Sequence, residues 1–543
     1  MTARFYGSPW HGIAIGLLST FAGLAAAELV VGLVRGAMSP VVPVGQEVID
    51  VVPPAVKDWA IDWFGTADKA VLIIGTLLSL AVIGSIVGNL AVKGNRQGAY
   101  AVTVAVGLIG VFAVWVRPAP DLGKMLPPIV GTCASLAVIW WLSPRDIEAG
   151  AGARVVAADS SAGALDSVEP TASEMPRRSF VQAASTVGLL SVIAGGLGRV
   201  LRDRFEVGDE RSALRLPDPV DTIAPPSPAE GAGTGAADVM EFGIEGVEPF
   251  VVPNSEFYRI DTALVVPQVP KDTWRLRIHG MVDNEMELTF ADLLARDQVE
   301  RYITLSCVSN EVGGGLVGNA KFQGVLMKDV LDEAGVQSGA TQVVSRSIDG
   351  WNCGSPTSAI MDGRDAMFAI AMNGEPLPAE HGYPVRLVVP GLYGYVSATK
   401  WVTDIELTRW EDFDGYWVPR GWSKEGPVKT MARIDRPGGR RGYTANGDGV
   451  IDIAGLAWAV HRGIAGVEVS IDDGEWLACE LAGAPSDDTW RQWRYRWADF
   501  TPGEHTVRAR AYDGEGVPQP EGPKPVAPDG AEGYHRVRFE VEA

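Results

Sequence analysis

The stretch 304–319 reads TLSCVSNEVGGGLVGN, and its one cysteine, Cys307, closes a short β-like run ahead of a polar turn and three consecutive glycines. No second cysteine, histidine pair or basic cluster lies beside it. Three uses suit a lone cysteine. Packing is the commonest. A nucleophile needs a histidine base and an orienting group, and spacing pairs none of His279, His381, His461 or His505 with Cys307. A soft metal ligand is the third. The glycines, with Asn310 and Asn319, would let backbone amides come close to a bulky anion.

The other cysteines, Cys133, Cys353 and Cys479, are far apart and show no zinc or redox spacing. Cys133 reads as a small buried residue. Cys353 and Cys479 read as two separate buried thiols in preference to a disulfide. The 543 residues exceed one compact core, so several domains are expected. A formal net charge of −21 repels nucleic acid, and no basic stripe with aromatics offsets it.

Apolar residues make up 47% of the chain and concentrate near its start. Four segments, about 10–34, 70–92, 99–116 and 125–142, are each long enough to span a hydrocarbon core. Residues 1–145 are thus expected to form a four-helix membrane anchor. Pro127 and Pro128 mark the start of the fourth segment. Lys93, Arg96, Arg145 and Arg154 place the N-terminus on the cytoplasmic side. His11 alone cannot supply bis-histidine haem ligation, and no haem motif is found. Glu28 is an intramembrane carboxylate, with a role either in function or in pairing to a neighbouring helix. Residues 146–176, rich in Ala, Gly, Ser and Asp, read as a cytoplasmic linker. Arg177 and Arg178 then precede an apolar run to 201, which reads as a twin-arginine-like signal or a fifth membrane helix. Either carries the rest of the chain outward. Residues 202–240, rich in Pro, Gly and Ala toward their end, read as a flexible tether.

Beyond the tether the pattern is mixed. WRLRIHGMV, PVRLVVPG and KWVTDIELTRW alternate as strands, while TFADLLAR and VLMKDVLDEAGV read as helices. After about residue 429 only short strands with Asp-Gly turns remain, as in a β-sandwich. NGDGVIDIAG lacks the closing glutamate of a calcium loop and reads as a turn.

YITLSCVSNEVGGGLVGNAKFQGV together with LPAEHGYPVRLVVPGLYGYVSATKWVTDIEL resembles the molybdopterin-binding domain of the sulfite oxidase family. NSEFYRID and WRLRIHGMV fit the start of that domain. The resemblance implies a mixed α+β molybdopterin-binding fold over 241–428 and an all-β immunoglobulin-like sandwich, through which such chains dimerise, over 429–543. It makes Cys307 the thiolate ligand of molybdenum, beside the dithiolene of one pterin. His381 and Arg386 fall on the motif that holds the pterin phosphate, a group suited to a guanidinium fork. Lys400 falls on the pterin-contacting lysine. Asn254, Phe257, Tyr258, Arg259 and Ser397 are expected in the same pocket.

The sequence departs from sulfite-oxidising members. Glu311 and Val312 stand where they carry basic residues, Val252 replaces an arginine, Ile370 a tyrosine, and Phe322 and Gln323 stand at a tryptophan position. These changes predict a pocket poor for a dianion, with Arg259, Lys321 or Arg420 as candidate sources of replacement charge. The expected function is oxygen-atom transfer at an extracytoplasmic molybdenum centre in a bacterial cell membrane. The alternative is reduction of S-oxides or N-oxides with the same cofactor. A non-enzymatic binding protein is the third reading, and Cys307 in its motif counts against it. Electrons must then pass to an external carrier, a cytochrome or a quinone-linked protein.

Overall fold

The computed structural model describes residues 9–53, 56, 63–64, 68–117, 121–143, 177–223, 239–439 and 442–542. The linker read at 146–176 lies outside them. The chain divides into two compact units, 1–206 and 207–543.

In the first unit, five helices among the described residues are long and apolar enough to cross a membrane: Pro9–Leu33, Asp68–Val92, Arg96–Trp115, Leu122–Leu142 and Arg177–Asp203. Small residues let them approach closely. A Cβ on Gly16 would sit 1.8 Å from the Gly84 carbonyl oxygen, and one on Gly32 would sit 2.3 Å from that of Gly198. The Ser19 and Ser135 hydroxyls each donate to the other's backbone carbonyl, at 3.1 and 3.0 Å. Glu28 lies 3.8 Å from Arg202, so its partner is on another helix. Two readings change. The fourth segment begins at Leu122, where the Asp121 side chain accepts the Lys124 N–H, so Pro127 and Pro128 lie inside the helix. Cys133 is exposed on that helix and not buried. A further short helix, Val41–Val51, went unread because its apolar face is only a few valines wide.

The second unit holds four sheets. A six-stranded sheet has the order β1 (Asp221–Thr222), β4 (Val299–Ser306), β5 (Val317–Leu326), β8 (Met367–Met372), β10 (Arg386–Val388), with β9 (Glu375–Pro376) beside β8. A five-stranded sheet runs β3 (Met286–Thr289), β2 (Arg275–Gly280), β11 (Val402–Thr408), β6 (Gln342–Ser347), β7 (Asn352–Pro356). The helices Phe290–Leu294 and Met327–Ala334 fall where the apolar periodicity put them. Strands β4 and β5 form a hairpin whose last pair is Ser306 with Val317. Cys307 is therefore the first residue of its tip.

After Lys429, one sheet carries β12 (Met431–Arg436), β14 (Ile451–Trp458), β18 (Arg491–Trp497) and β17 (Glu480–Leu481). The other carries β13 (Gly442–Tyr443), β20 (His535–Val541), β19 (Gly503–Asp513), β15 (Ile464–Ile471) and β16 (Trp476–Ala478). Ile453, Val467, Trp493, Val507 and Phe539 share a buried core within this β-rich part. Leu456, Trp458 and Trp490 instead join the core of the preceding part, so no gap follows residue 428. NGDG is a turn that leads into β14: the Asn446 N–H donates to Val450 O at 2.8 Å.

The tether reading fails for residues 207–223. Val207 is buried in the core of the second unit, Glu210 accepts from the Tyr383 hydroxyl at 2.8 Å, and Asp221 pairs with Arg301 at 2.6 Å. Pro and Gly content hid these anchors. Residues 224–238 lie outside the described residues.

Candidate active site

The tip between β4 and β5 closes on itself. The Cys307 N–H donates to Leu316 O at 2.9 Å, and the Leu316 N–H to Asn310 Oδ1 at 2.8 Å. This folding aims Cys307 into a cleft enclosing about 950 Å³, part of it open to solvent. Phe257, Tyr258, His381, Arg386 and Lys400 line the same cleft, as do Ser309, Asp261, Asp349, Trp351, Tyr395, Trp401, Trp417 and Trp422. Residues more than 160 positions apart thus converge on one wall.

Two buried cations shape the electrostatics of the cleft. Arg386 is buried, and among the described residues no carboxylate pairs with it. Its polar contacts are carbonyls, His381 O at 3.2 Å and Leu387 O at 3.4 Å, and its guanidinium lies 5.8 Å from the Phe322 ring centre. Burial pulls its pKa down to about 10. A buried unpaired cation is costly, and a structure keeps one where a ligand supplies the opposite charge. Lys400 Nζ bonds Asp261 at 2.6 Å and Glu380 O at 3.2 Å, and burial still lowers its pKa to about 8. Burial, with Arg386 beside it, lowers His381 to about 4, so its ring is neutral and Nε2 donates to Asn254 O at 3.1 Å. Burial raises the Cys307 thiol, partly opposed by Ser309 Oγ at 3.4 Å. Such a thiol stays protonated until a metal displaces the proton.

Three expected pocket residues stand behind the cleft. Asn254 accepts from His381, and its amide bonds Met372 O and Glu375. Arg259 Nε bonds Asp261 at 2.8 Å and so steadies the partner of Lys400. The Ser397 hydroxyl turns back onto Tyr393 O at 3.0 Å within the short helix Gly394–Ser397. The positions read as substrate-shaping are also elsewhere. Glu311 is exposed at the outer edge of the tip, because the closure at Leu316 turns 311–315 away from the cleft. Val252, Phe322 and Ile370 are core residues, and Gln323 donates to Pro217 O. Lys321 pairs with Glu300 and Arg420 lies over the Tyr416 ring. The reading missed Tyr395, Trp417 and Trp422. Its available signal was WEDFDGYWVPRGW, a tryptophan-dense stretch too irregular for strand or helix.

Comparison with known proteins decides the family. A model of the oxidoreductase molybdopterin-binding domain matches residues 263–417. Over 153 residues the chain is 35% identical to an uncharacterized oxidoreductase, YuiH, of Bacillus subtilis, covering 28% of this chain and 74% of that one. The chain belongs to the sulfite oxidase family, molybdenum-dependent oxidoreductases that hold a molybdopterin. It is 29% identical over 297 residues to human mitochondrial sulfite oxidase, covering 46% of this chain and 53% of that one. It is 30% identical over 290 residues to sulfite oxidase of Gallus gallus, covering 45% and 62%. The chain therefore spans between half and two-thirds of these sulfite oxidases. Among solved structures, the sulfane dehydrogenase SoxCD from Paracoccus pantotrophus shares 24% identity at a TM-score of 0.45, covering 55% of this chain and 85% of that chain. The residues present fit the family's cofactor: an unpaired buried guanidinium for its phosphate, and a buried thiol for its metal in the same cleft.

Proposed function

We infer that this protein is a membrane-anchored oxidoreductase transferring an oxygen atom in the cleft at Cys307, with the catalytic unit outside the cytoplasm. The observation that carries the reading is Arg386, buried without a carboxylate partner among the described residues in the cleft that Cys307 lines. When bound, the molybdenum cofactor supplies two-electron oxygen-atom chemistry. The chain's own groups do the rest. Cys307, as thiolate, is the protein ligand. Arg386 and Lys400 hold the phosphate, Asp261 and Arg259 fix the Lys400 ammonium, and Asn254 orients His381. Tyr395, Trp417 and Trp422 keep water from the reacting face. Five apolar helices support the anchor, and two sheets around one apolar core support an immunoglobulin-like C-terminal domain and a homodimer through it. The electron carrier is external, a cytochrome or a quinone-linked protein.

A second reading concerns the substrate. Arg386 and Lys400 are the only arginine or lysine side chains among the described residues lining the cleft, and both are assigned to the cofactor. The remaining wall is largely aromatic, with Thr262, Ser309 and Ser347 as hydroxyls and Asp349 and Asp261 as its acids. Such a wall favours a neutral S-oxide or N-oxide over sulfite. The test is metal and pterin analysis of the purified chain, then steady-state kinetics with sulfite and ferricyanide beside S-oxides and a reduced dye. Stoichiometric molybdenum and faster S-oxide turnover are expected. Absence of metal overturns the function, and efficient sulfite oxidation overturns the substrate reading.

A further inference from the structure

The tip that carries Cys307 has an outer edge, and that edge meets the β-rich C-terminal part. Gly313 sits at φ +81°, and a Cβ there would be 2.2 Å from His535 Nε2. The next carbonyl, Gly314 O, accepts from Arg433 Nη1 at 3.2 Å. Neither residue is free to drift. His535 Nδ1 accepts the Ile434 N–H at 2.9 Å, which leaves Nε2 facing the tip. The buried Arg433 is gripped by Asp435 at 2.6 Å and Glu248 at 2.8 Å. Arg433 lies on β12 and His535 opens β20, so each of the two C-terminal sheets sends one side chain to the tip. The strand entering the tip is held from the same side. The Thr304 N–H donates to Asp488 O at 2.9 Å, and the Thr304 hydroxyl accepts the Trp490 N–H at 2.7 Å.

We propose that His535 and Arg433 are positioning residues for the metal-binding tip, and that the C-terminal part is the rear wall of the active site. They touch neither cofactor nor substrate. They act through the backbone at Gly313 and Gly314, which the hydrogen bonds at Asn310 and Leu316 tie back to Cys307. A hairpin tip of ten residues between Ser306 and Val317 has its own closure entropy to overcome. An external wall holds the thiolate in one place before the metal arrives, the support a metal ligand needs from its surroundings. The metal role of Cys307 rests on the proposed function; the mechanical role of the wall does not.

The experiment uses the full chain. In the cofactor-free protein, His535→Asn keeps the acceptor for Ile434 and removes the ring from Gly313. Hydrogen exchange at the Gly314 and Leu316 amides should accelerate about tenfold, with β19 unchanged, because the opening is local. Gly313→Ala should loosen the tip less in the His535→Gly background than alone, since the ring it strikes is gone. In the loaded protein the thiolate-to-metal absorption should shift in both His535→Asn and Arg433→Lys. Wild-type exchange and spectra in both variants overturn the proposal. Should His535→Asn lower β19 protection as well, Arg433→Lys is read for the same local exchange. A loosened tip in a chain that never loads metal sinks the Cys307 assignment and leaves the wall standing.

Discussion

Cys307, Arg386 and His381 give three predictions that separate folding from chemistry. Cys307→Ser should abolish turnover and leave a folded unit that still retains pterin, checked by activity and pterin fluorescence; full activity would end its assignment as ligand. Arg386→Met removes a buried charge that no carboxylate balances. The cofactor-free protein should therefore gain about 1–4 kcal/mol, while the loaded protein loses its pterin. Denaturant unfolding of the cofactor-free chain reads the first effect and pterin analysis the second. For His381 the sign follows from a folded pKa of about 4 against an ordinary 6.5. Between those values the unfolded chain binds a proton that the native ring refuses. Stability of the cofactor-free protein should thus fall as pH drops from 6.5 to 4, by about 3 kcal/mol at the lower end. His381→Gln should flatten that slope. That Cys307, His381, Arg386 and Lys400 share one cleft was legible because short motifs flank each. Trp417 and Trp422 were not, because an irregular segment carries no periodicity to say which side chain turns inward.

Hairpin register explains both what sequence revealed about the elements and what it concealed. The β-like run ahead of Cys307 pointed to the end of β4 and a turn there, while β5 went unread. Nor did the sequence reveal that the Cys307 N–H and Leu316 O close the turn and that Glu311 is exposed, outside the lining of the cleft. Strand β8 is buried along its whole length, so Ile370 packs in the core although alignment set it beside the substrate. The stretch 207–223 looked like tether by composition, yet Val207 and Asp221 anchor it. In the membrane unit, small residues decide which substitutions helices tolerate. Gly16→Leu would drive a side chain into the Gly84 backbone, and should cost about 1–3 kcal/mol or rearrange the bundle. At Gly75 nothing among the described residues lies within 4 Å of an added Cβ, so Gly75→Leu should be tolerated. Thermal melting of the detergent-solubilised chain compares the two; equal losses would show that helix proximity at Gly16 is not what holds the unit.

At the level of the whole molecule, the order of elements constrains how the chain reaches its place. The helix Arg177–Asp203 immediately precedes the unit that holds the cleft. That unit has a buried Arg386 in the wall of the cleft, and the proposed cofactor would be bound there by the folded chain. A cofactor assembled in the cytoplasm, as the family resemblance implies, cannot accompany an unfolded thread across a membrane. If the unit works outside the cytoplasm, as proposed, it would have to cross folded, and the paired arginines at 177 and 178 are the candidate folded-export signal. An ordinary fifth helix with positive flanks makes a different demand, because its orientation follows the positive-charge bias of its flanks, to which Lys and Arg both contribute. Charge-conserving substitution separates the two. Arg177→Lys with Arg178→Lys keeps every positive charge, so topology set by charge alone would be untouched. Folded export reads the guanidinium pair itself, and should fail. Protease added to intact spheroplasts should cut residues 207–543 in the wild type and leave them whole in the double variant, with molybdenum content unchanged. Equal cleavage in both would assign the segment to simple insertion, and the cofactor would then have to be acquired outside.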